Sequence, residues 1–255
     1  MHWNRTATTP LHEERLEAVV AAVRASGARS LLDLGCGEGD VLVRLARDPD
    51  LEHLLGLDLD ARCLQQVRLR LAAEMPAGFS AAAANRAEPH QMYDDERAGP
   101  GNGPRIELRQ GSLTEPDASL SGFDCAILVE TIEHIDPRDL AQVEQALFAR
   151  MRPRTAIITT PNAEFNPLLE VPPNRFRHPD HRFEWDRARF QRWARGIAQR
   201  HAYSLRHRDI GGVHPLYGGA SQMALFRREE PSETLIGTAP PPGIEPAAPG
   251  FLAEK

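Results

Sequence analysis

Cysteine and lysine are the residue types that this sequence most clearly lacks. Its three cysteines, Cys36, Cys63 and Cys125, are far apart and form no CxxC pair, which argues against a disulfide framework and a zinc ribbon. Such an odd, scattered set of thiols is typical of a reducing compartment. Lys255 is the only lysine, so arginine carries nearly all of the positive charge. We interpret this arginine bias as compositional, and it does not by itself predict a binding surface.

Long apolar runs and an excess of positive charge are also missing. No apolar stretch is long enough to cross a bilayer, and the N-terminal residues lack the apolar core of a secretion signal. The formal net charge is −6, so the molecule as a whole has no basic field that would attract nucleic acid. A chain of 255 residues can form one α/β domain with insertions. We therefore expect a soluble, cytoplasmic enzyme.

Strands and helices alternate along most of the chain. Short apolar runs predict seven strands, and stripes of apolar residues at helical spacing predict helices between them. This alternation favours a largely parallel sheet with right-handed crossovers, closed by two strands that resemble a hairpin. The predicted fold class is therefore α/β, with a mostly parallel seven-stranded sheet and helices on both faces. The predicted strands are 30–34, 53–58, 105–109, 123–129, 155–160, 203–210 and 221–226, and the main helices are 11–25, 61–73, 140–147 and 186–199.

Two segments differ in composition from the rest of the chain. Residues 74–104 and 229–255 are rich in small residues, proline and charge, and they contain few apolar side chains that could be buried. Such segments do not bury enough apolar surface to offset the entropy that is lost on folding. We predict one domain over residues 1–228 with a flexible insertion at 74–104, followed by a disordered tail at 229–255.

A glycine-rich turn follows the first predicted strand. Residues 33–39 have the pattern Asp-x-Gly-x-Gly-x-Gly, and Asp40 stands where the dinucleotide fingerprint GxGxxG requires its last glycine. Asp58 ends the second strand about twenty residues later, a spacing at which a carboxylate reaches ribose hydroxyls across a βαβ unit. Together these features predict an adenosine ligand without phosphates.

A second polar cluster, Glu130, Glu133 and His134, comes directly after the apolar strand 123–129. If a helix begins there, the three residues are spaced i, i+3 and i+4 and lie on one face. Two carboxylates and one imidazole suit a divalent ion, with further ligands supplied from elsewhere in the chain. The alternative is that the acidic residues favour the positive end of a helix, with His134 as an incidental surface residue.

These polar residues share one position, the carboxyl ends of the predicted strands. Ligands of parallel α/β sheets bind beyond that edge. A long polar loop at 161–186, rich in histidine, arginine and aromatic residues, follows the fifth strand, and long ordered loops in compact domains are usually functional. We therefore expect a single site at this edge that contains residues 33–39, Asp58, Ser112, Glu130 and Asn162.

The motifs resemble those of a known group of enzymes. Residues 33–39 with Asp58 are similar to the cofactor site of class I S-adenosylmethionine-dependent methyltransferases, which have a Rossmann-like fold. Residues 130–134, 160–166 and 178–185 resemble motifs of the small-RNA 3′-terminal 2′-O-methyltransferases, in particular the bacterial branch associated with RNA repair. The resemblance covers about residues 10–228. It implies that residues 1–228 form a methyltransferase domain, which methylates the 2′-hydroxyl of the 3′-terminal nucleotide of RNA in a metal-dependent reaction.

The resemblance also implies the residues of the site. S-adenosylmethionine is the implied methyl donor, and one divalent metal is the second cofactor. Two carboxylates and two imidazoles favour manganese, with magnesium or cobalt as alternatives. His178 falls outside the family pattern, and we interpret it as a loop residue or an RNA contact. The implied metal ligands and catalytic residues are Glu130, Glu133, His134 and His181, and the implied cofactor contacts are Asp33, Gly35, Gly37, Asp58, Ser112 and Leu113.

The implied partner is an RNA 3′ end, and the bacterial branch implies an RNA-repair partner protein; no membrane is involved. Two other functions stay open on the sequence alone. A metal-dependent O-methyltransferase of a small diol or catechol would also chelate two oxygens, but the Phe183-Glu184-Trp185 loop argues against it. A catalytically silent module that binds RNA ends or the cofactor is disfavoured because the set of implied metal ligands is intact.

Overall fold

The structure is a computed structural model that describes residues 9–74, 104–115 and 118–229. Apart from their boundary residues, the predicted insertion at 74–104 and the predicted tail at 229–255 lie outside the described residues. Within these ranges the chain forms one seven-stranded sheet and five α-helices. The strands are β1 (Ser30–Leu34), β2 (His53–Asp58), β3 (Arg105–Gln110), β4 (Cys125–Val129), β5 (Thr155–Pro161), β6 (Tyr203–Ile210) and β7 (Ser221–Arg228), and the helices are α1 (Pro10–Ala25), α2 (Asp40–Leu45), α3 (Ala61–Glu74), α4 (Leu140–Glu144) and α5 (Arg187–His201).

The sheet has the strand order β3-β2-β1-β4-β5-β7-β6. The first five strands in this order are parallel, and β7 is antiparallel to both of its neighbours, β5 and β6. This confirms the predicted, mostly parallel sheet and its closing hairpin. The chain passes from β3 at one edge back to β4 on the other side of β1, so the order reverses between β1 and β4. Ligands of such sheets bind at this reversal, beyond the carboxyl ends of the strands.

Helices cover both faces of the sheet, as predicted. Alternate side chains of the buried strands point to opposite faces, so neighbours such as Leu31 and Leu32 belong to different core clusters. The buried residues of α1, α2 and α3 pack on one face. The buried residues of α4, of the π-helical turn Gln145–Met151 that continues it, and of α5 pack on the other. The described ranges contain no helix that is long and apolar enough to span a membrane.

Two helix starts follow from side-chain caps. The Asp186 carboxylate accepts a hydrogen bond from the Arg189 N–H at 2.6 Å and so caps α5. The Thr9 hydroxyl accepts from the His12 N–H at 3.3 Å, and Pro10 occupies the first turn of α1. These caps fix where two helices begin, and α1 and α5 flank the sheet on opposite faces.

No helix begins at Glu130. Glu130 has φ +50°, and Ile132–His134 is a single 3₁₀ turn that ends at an extended Ile135. The ring of Pro137 disfavours helical geometry at the residue before it, so the turn cannot continue into α4. The condition under which Glu130, Glu133 and His134 would share one face of a helix is therefore not met. The three residues lie on a tight turn instead.

Asp124 ties the amino ends of β1 and β4 together. Its Oδ2 accepts hydrogen bonds from the backbone N–H groups of Arg29 and Ser30 at 2.9 and 3.1 Å, and Arg154 Nε lies 3.0 Å from Oδ1. Burial raises the pKa of Asp124, but the two backbone N–H groups and Arg154 lower it by more, so the net pKa is below its ordinary value. The ionised carboxylate therefore stabilises the fold.

We expect Asp124→Ala to lower the free energy of unfolding by about 2 kcal/mol at pH 7, because two backbone N–H groups lose their acceptor. A lowered folded-state pKa contributes stability that is present above the unfolded pKa, about 4. This contribution is lost as the pH falls through the folded value. Urea unfolding of both proteins at pH 7 and pH 3 measures the difference. The same loss at both pH values would contradict the ionic part of this account.

Candidate active site

The glycine turn folds over the carboxyl end of β2. The Gly35 N–H donates to the Leu57 carbonyl and the Gly37 N–H donates to Asp58 Oδ2, each at 2.8 Å. Gly35 and Gly37 have φ of +75° and +53°, values at which an L side chain is strained. The structure thus brings together three of the predicted cofactor residues, Gly35, Gly37 and Asp58.

Gly35 and Gly37 face different surroundings. A Cβ on Gly35 would lie 2.6 Å from Thr131 Cγ2, so the missing side chain lets the glycine turn pack against the turn that carries Glu130 and Glu133. A Cβ on Gly37 would meet no heavy atom of the described residues within 4 Å. Gly35 is therefore needed for packing, whereas Gly37 borders open space in which a ligand can lie.

Asp33 lies beneath the glycine turn, on β1 between Gly56 of β2 and Ile127 of β4. Only 3% of it is exposed. Burial, and then the nearby charges of Asp58 and Asp40, raise the pKa of Asp33 to about 8. A ligand that brings positive charge or N–H donors would stabilise its ionised form. This environment suits a cationic ligand at the switch point of the sheet.

Ser112 and Leu113 follow β3, beside β2 at the same edge of the sheet. The Ser112 Oγ lies 2.7 Å from the Thr114 hydroxyl and accepts from the Thr114 N–H at 3.2 Å, which makes a local turn. The half-buried Leu113 side chain packs against the core cluster of the α4 and α5 face. Both residues therefore lie at the expected edge, where their role as cofactor contacts stays a prediction.

Glu130 and Glu133 each have one carboxylate oxygen without a hydrogen-bond partner among the described residues. Glu133 is fully buried, and its Oε2 accepts from the Thr160 hydroxyl at 2.9 Å. Glu130 Oε2 accepts from Arg15 Nη1 at 3.1 Å and from the Ser221 hydroxyl at 3.2 Å. The Oε1 atoms of both glutamates are buried, and neither has a hydrogen-bond partner in the part of the chain that the structure describes. Burial, and then the charge of Glu130, raise the pKa of Glu133 well above its ordinary value. A cation at this position would relieve both effects.

Three histidines converge beside these carboxylates. His134, His178 and His181 each offer a ligand nitrogen, and the three nitrogens lie within 4.8 Å of one another. The loop that carries His178 and His181 is joined to the other turn because the Arg182 N–H donates to the Glu133 carbonyl at 2.7 Å. Loss of hydration, and then repulsion by His181 and His178, lower the pKa of His134. His134 is therefore kept neutral, the form in which imidazole binds metals.

A carboxylate orients His181. The Nδ1 atom of His181 lies 2.6 Å from Glu184 Oε1, which leaves Nε2 available as a ligand. Glu184 also accepts from Asn166 Nδ2 and from the Arg177 N–H, both at 2.7 Å. Burial raises the pKa of Glu184, but the contacts with His181, Asn166 and Arg177 lower it by more, so Glu184 is ionised. The pairing of His181 with Glu184 is typical of metal-binding histidines.

Aromatic residues anchor the histidine loop to the core. Phe183 and Trp185 are 6% and 4% exposed and stack at 4.3 Å between ring centroids. Both side chains therefore pack into the core and fix the loop in place. Phe176 is 46% exposed and keeps its surface available. Arg177 is also structural, because it donates to Asn166 Oδ1 and to the Ala220 carbonyl, each at 2.6 Å.

The structure brings two of the four predicted metal ligands together in one group of side chains. His134 and His181 belong to the 4.8 Å histidine group, and Glu130 and Glu133 lie on the turn beside it. His178, which we interpreted as a loop residue or an RNA contact, belongs to the same group. Its spacing from His181 (His-x-x-His) was the signal that could have indicated this. Whether these residues bind a metal stays a prediction.

A chain of polar contacts from α1, which the sequence did not predict, reaches both halves of the site. His12 Nε2 lies 3.3 Å from Asp40 Oδ2, and His12 Nδ1 accepts from the Arg15 guanidinium. Arg15 in turn contacts Glu130. The hydrogen bond from His12, and then that from Arg70, hold the pKa of Asp40 below its ordinary range despite burial. Because Asp40 begins α2 directly after the glycine turn, α1 connects that turn with Glu130.

Comparison with known proteins identifies the family of this chain. Residues 10–212 match the model of a methyltransferase domain family. The small RNA 2′-O-methyltransferase of Gallus gallus is 33% identical over 246 residues, which cover 91% of this chain and 60% of that protein. The solved methyltransferase domain of a bacterial CtHen1 is also 33% identical, with a TM-score of 0.68, and the match covers 85% of this chain and 99% of that domain. The chain belongs to the Hen1 methyltransferase domain family.

A second solved structure, that of the small RNA methyltransferase HEN1, is 30% identical with a TM-score of 0.73; the match covers 90% of this chain and 28% of that one. The chain spans about 60% of the length of the curated relative from Gallus gallus. These matches confirm the family and the fold that the sequence motifs implied. They concern the methyltransferase domain that the described residues form.

Gly35 and Gly37 of the glycine turn allow a matched pair of substitutions that tests the cofactor site. We expect Gly37→Ala to keep the fold and to bind a nucleoside cofactor at least about tenfold more weakly, because its Cβ enters the open space above the turn. Gly35→Ala carries a similar φ strain and in addition clashes with Thr131, so it should lower the melting temperature further. Thermal unfolding and calorimetry with S-adenosylmethionine measure both effects. If Gly37→Ala binds S-adenosylmethionine with the wild-type affinity, the space above Gly37 is not the cofactor site.

Proposed function

We propose that this methyltransferase transfers the methyl group of S-adenosylmethionine to the 2′-hydroxyl of the 3′-terminal nucleotide of RNA, with one divalent metal ion as a cofactor. The observation that carries the proposal is the contact between the glycine turn and the turn of Glu130 and Glu133, where Gly35 packs against Thr131. This contact supports the proposal because it joins the turn that would bind the nucleoside cofactor to the turn that carries two of the proposed metal ligands. The names of the relatives support RNA as the substrate.

The cofactor part of the proposal rests on Asp33, Gly37 and Asp58. The two carboxylate oxygens of Asp58 accept from the backbone N–H groups of Gly37 and Asp60, each at 2.8 Å, so the side chain is already oriented at the end of β2. We propose that it binds the ribose hydroxyls of the cofactor. The buried Asp33 would then face the positively charged amino-acid part of S-adenosylmethionine, which would stabilise its ionised form.

The residues fit a divalent metal ion. Glu130 and Glu133 each have one buried carboxylate oxygen without a hydrogen-bond partner among the described residues, His134 is neutral, and His181 is oriented by Glu184. We propose that Glu130, Glu133, His134 and His181 hold the ion. With its imidazole ligands, this set favours manganese, iron or cobalt over magnesium. A bound ion would supply positive charge next to the two vicinal hydroxyls of the terminal ribose, which lowers the pKa of the reacting hydroxyl.

Neighbouring side chains then hold the proposed metal ligands in position. The Thr160 hydroxyl fixes Glu133, Arg15 and Ser221 fix Glu130, and Glu184 fixes His181. A nucleotide that is held beside these groups presents its 2′-hydroxyl toward the glycine turn, where the methyl donor binds. Alignment of this kind supplies a large part of a rate enhancement, because the reacting atoms no longer have to find each other. Only the last nucleotide of an RNA offers both hydroxyls, so the site selects the RNA end.

A small diol or catechol as the substrate is not favoured, because the matching relatives are named for small RNA. An RNA-repair partner protein stays a prediction, as does the cytoplasmic location.

We expect methyl transfer to depend on the last sugar of the RNA. The assay compares otherwise identical oligonucleotides with labelled S-adenosylmethionine. An unmodified end should react best, and a 2′-deoxy end should not react because the nucleophile is missing. A 3′-deoxy end should react slowly, and a 3′-phosphate should block the reaction because it adds negative charge beside Glu130 and Glu133. Efficient methylation of the 3′-phosphorylated RNA, or of internal riboses, would refute the mechanism.

We also expect a metal requirement that is separable from cofactor binding. A chelator should abolish methyl transfer, and manganese or cobalt should restore it better than magnesium. His181→Ala should lower methyl transfer at least about a hundredfold, with S-adenosylmethionine affinity nearly unchanged because His181 is not on the glycine turn. His53→Gln, at the amino end of β2 and so at the opposite edge of the sheet, is the control and should react like the wild type. Full activity in chelator would exclude a metal mechanism.

A further inference from the structure

We propose that the outer face of α5 is a phosphate-binding surface for the RNA strand that leads to the active site. The surface consists of Arg189, Arg192 and Arg195, which we call the arginine stripe. The inference rests on the proposed function, because it extends the binding of an RNA 3′ end to the nucleotides that precede it. It assigns backbone contacts to the stripe and no part in the reaction.

The three arginines lie on the side of α5 that faces away from the sheet. The buried residues of this helix are Phe190, Ala194, Ile197 and Ala198. At about 100° per residue, Arg192 lies opposite the centre of this buried face, and Arg189 and Arg195 lie about 60° to either side of Arg192. All three arginines are exposed. The stripe is therefore open to solvent over its whole length.

Among the described residues, no acidic side chain neutralises the stripe. The sequence of α5 contains five arginines and no aspartate or glutamate. Arg187 and Arg200 are paired with acidic side chains of other elements. The three arginines of the stripe form no ion pair with a described acidic residue, so their positive charge is available to a ligand.

Pairing distinguishes the stripe from arginines that reflect only the composition of the sequence. Five of the six arginines on α1, α2 and α3 form ion pairs with acidic side chains, namely Arg15, Arg24, Arg44, Arg62 and Arg70. Like charges one turn apart repel each other on a helix, and Arg189 also lies in the first turn, where a cation is unfavourable. The stripe thus lowers the stability of α5, which indicates a role other than stabilising the fold.

The stripe begins at the histidine loop. α5 starts directly after this loop, and the Arg189 guanidinium lies 5.2 Å from the centre of the Trp185 ring that anchors it. The helix runs from the carboxyl edge of the sheet to its amino edge, because the strand that follows it, β6, is parallel to β5. Arg195 lies about 12 Å along the axis from the start of α5. The stripe therefore leads away from the proposed site.

Spacing and chemistry fit a nucleic acid backbone. Arg189 and Arg195 are about 9 Å apart along the helix axis. A stacked strand carries one phosphate about every 3.4 Å, so the stripe can contact about two or three phosphates. A guanidinium group binds two phosphate oxygens at once. Such contacts position a strand without reading its bases, which suits an enzyme that selects an RNA end.

An acidic protein segment is the main alternative, since arginines would attract it as well. RNA is favoured because the stripe is continuous with a site that is proposed to receive an RNA end. The chain as a whole has a formal net charge of −6, which repels a polyanion. A local positive surface next to the site would offset this repulsion and orient the strand.

The test measures the binding of a single-stranded RNA of about twelve nucleotides by fluorescence anisotropy over a range of salt concentrations. Because bound phosphates release counterions, the logarithm of the affinity falls with the logarithm of the salt concentration, by about 0.7 per neutralised phosphate. We expect Arg192→Gln to lower this slope by about 0.7. The triple variant, Arg189→Gln with Arg192→Gln and Arg195→Gln, should lower it by about 2 and bind at least about tenfold more weakly at about 0.1 M salt.

Arg47→Gln is the matched control. Arg47 is exposed, forms no ion pair with a described acidic residue, and follows α2 on the other face of the sheet. This variant should have the wild-type affinity and salt slope. The triple variant should bind S-adenosylmethionine like the wild type, and its melting temperature should equal or exceed that of the wild type because a like-charge repulsion is removed.

Methyl transfer to RNAs of two lengths distinguishes a backbone surface from a general loss of activity. With the long RNA, the triple variant should have a higher KM and an unchanged kcat. A dinucleotide is too short to extend along the stripe, so the triple variant should methylate it as the wild type does.

An unchanged salt slope in the triple variant would overturn the inference. Binding of a polyglutamate peptide to the wild type and not to the triple variant, together with that unchanged slope, would assign the stripe to an acidic protein instead. If the wild type methylates RNA and the triple variant binds RNA normally, only the inference fails. If the triple variant lowers the salt slope but the wild type transfers no methyl group to RNA, the inference stands and the proposed function fails.

Discussion

The site depends on one electrostatic constraint, the burial of the Glu133 carboxyl group. Glu133 is fully buried, its Oε2 accepts a hydrogen bond from the Thr160 hydroxyl, and its Oε1 has no hydrogen-bond partner among the described residues. An uncompensated buried charge costs several kcal/mol, and the nearby charge of Glu130 adds to this cost. Arg15 is paired with Glu130 rather than with Glu133. The fold therefore retains a buried carboxyl group whose ionised form is costly, and a bound cation would relieve that cost.

Contacts between residues that are far apart in the sequence hold the proposed metal ligands in a fixed arrangement around Glu133. The histidine loop is joined to the 3₁₀ turn through Arg182 and Glu133, and it is anchored from below by the stacked pair of Phe183 and Trp185. The Trp185 carbonyl accepts from the Ala163 N–H at 3.1 Å, which joins the loop to the chain after β5. Because Phe183 and Trp185 are buried, the proposed site is largely formed before substrate and cofactor would bind. Such preorganisation is the main way in which a protein lowers the barrier of a transfer between two bound molecules.

The fold was predictable because each strand is a short apolar run between polar turns, and the glycine turn was predictable because its residues are contiguous. The i, i+3, i+4 spacing at Glu130 would place the three residues on one face only in a helix, and spacing alone could not show that Glu130 adopts φ +50° and that no helix begins there. The contact of Arg15 with Glu130 spans 115 residues and leaves no local signal in the sequence. The orienting role of Glu184 likewise became visible only through its distance of 2.6 Å to His181. These features depend on tertiary packing, which local sequence patterns do not show.

The stability of Glu133→Gln with and without manganese tests the central claim most directly. The amide has nearly the same shape as the carboxyl group but carries no charge, so it removes the cause of the strain and the ligand together. We expect the metal-free variant to melt at or above the temperature of the metal-free wild type. Manganese should raise the melting temperature of the wild type and leave that of the variant unchanged. A variant that is less stable without metal, yet is stabilised by manganese as the wild type is, would contradict the account.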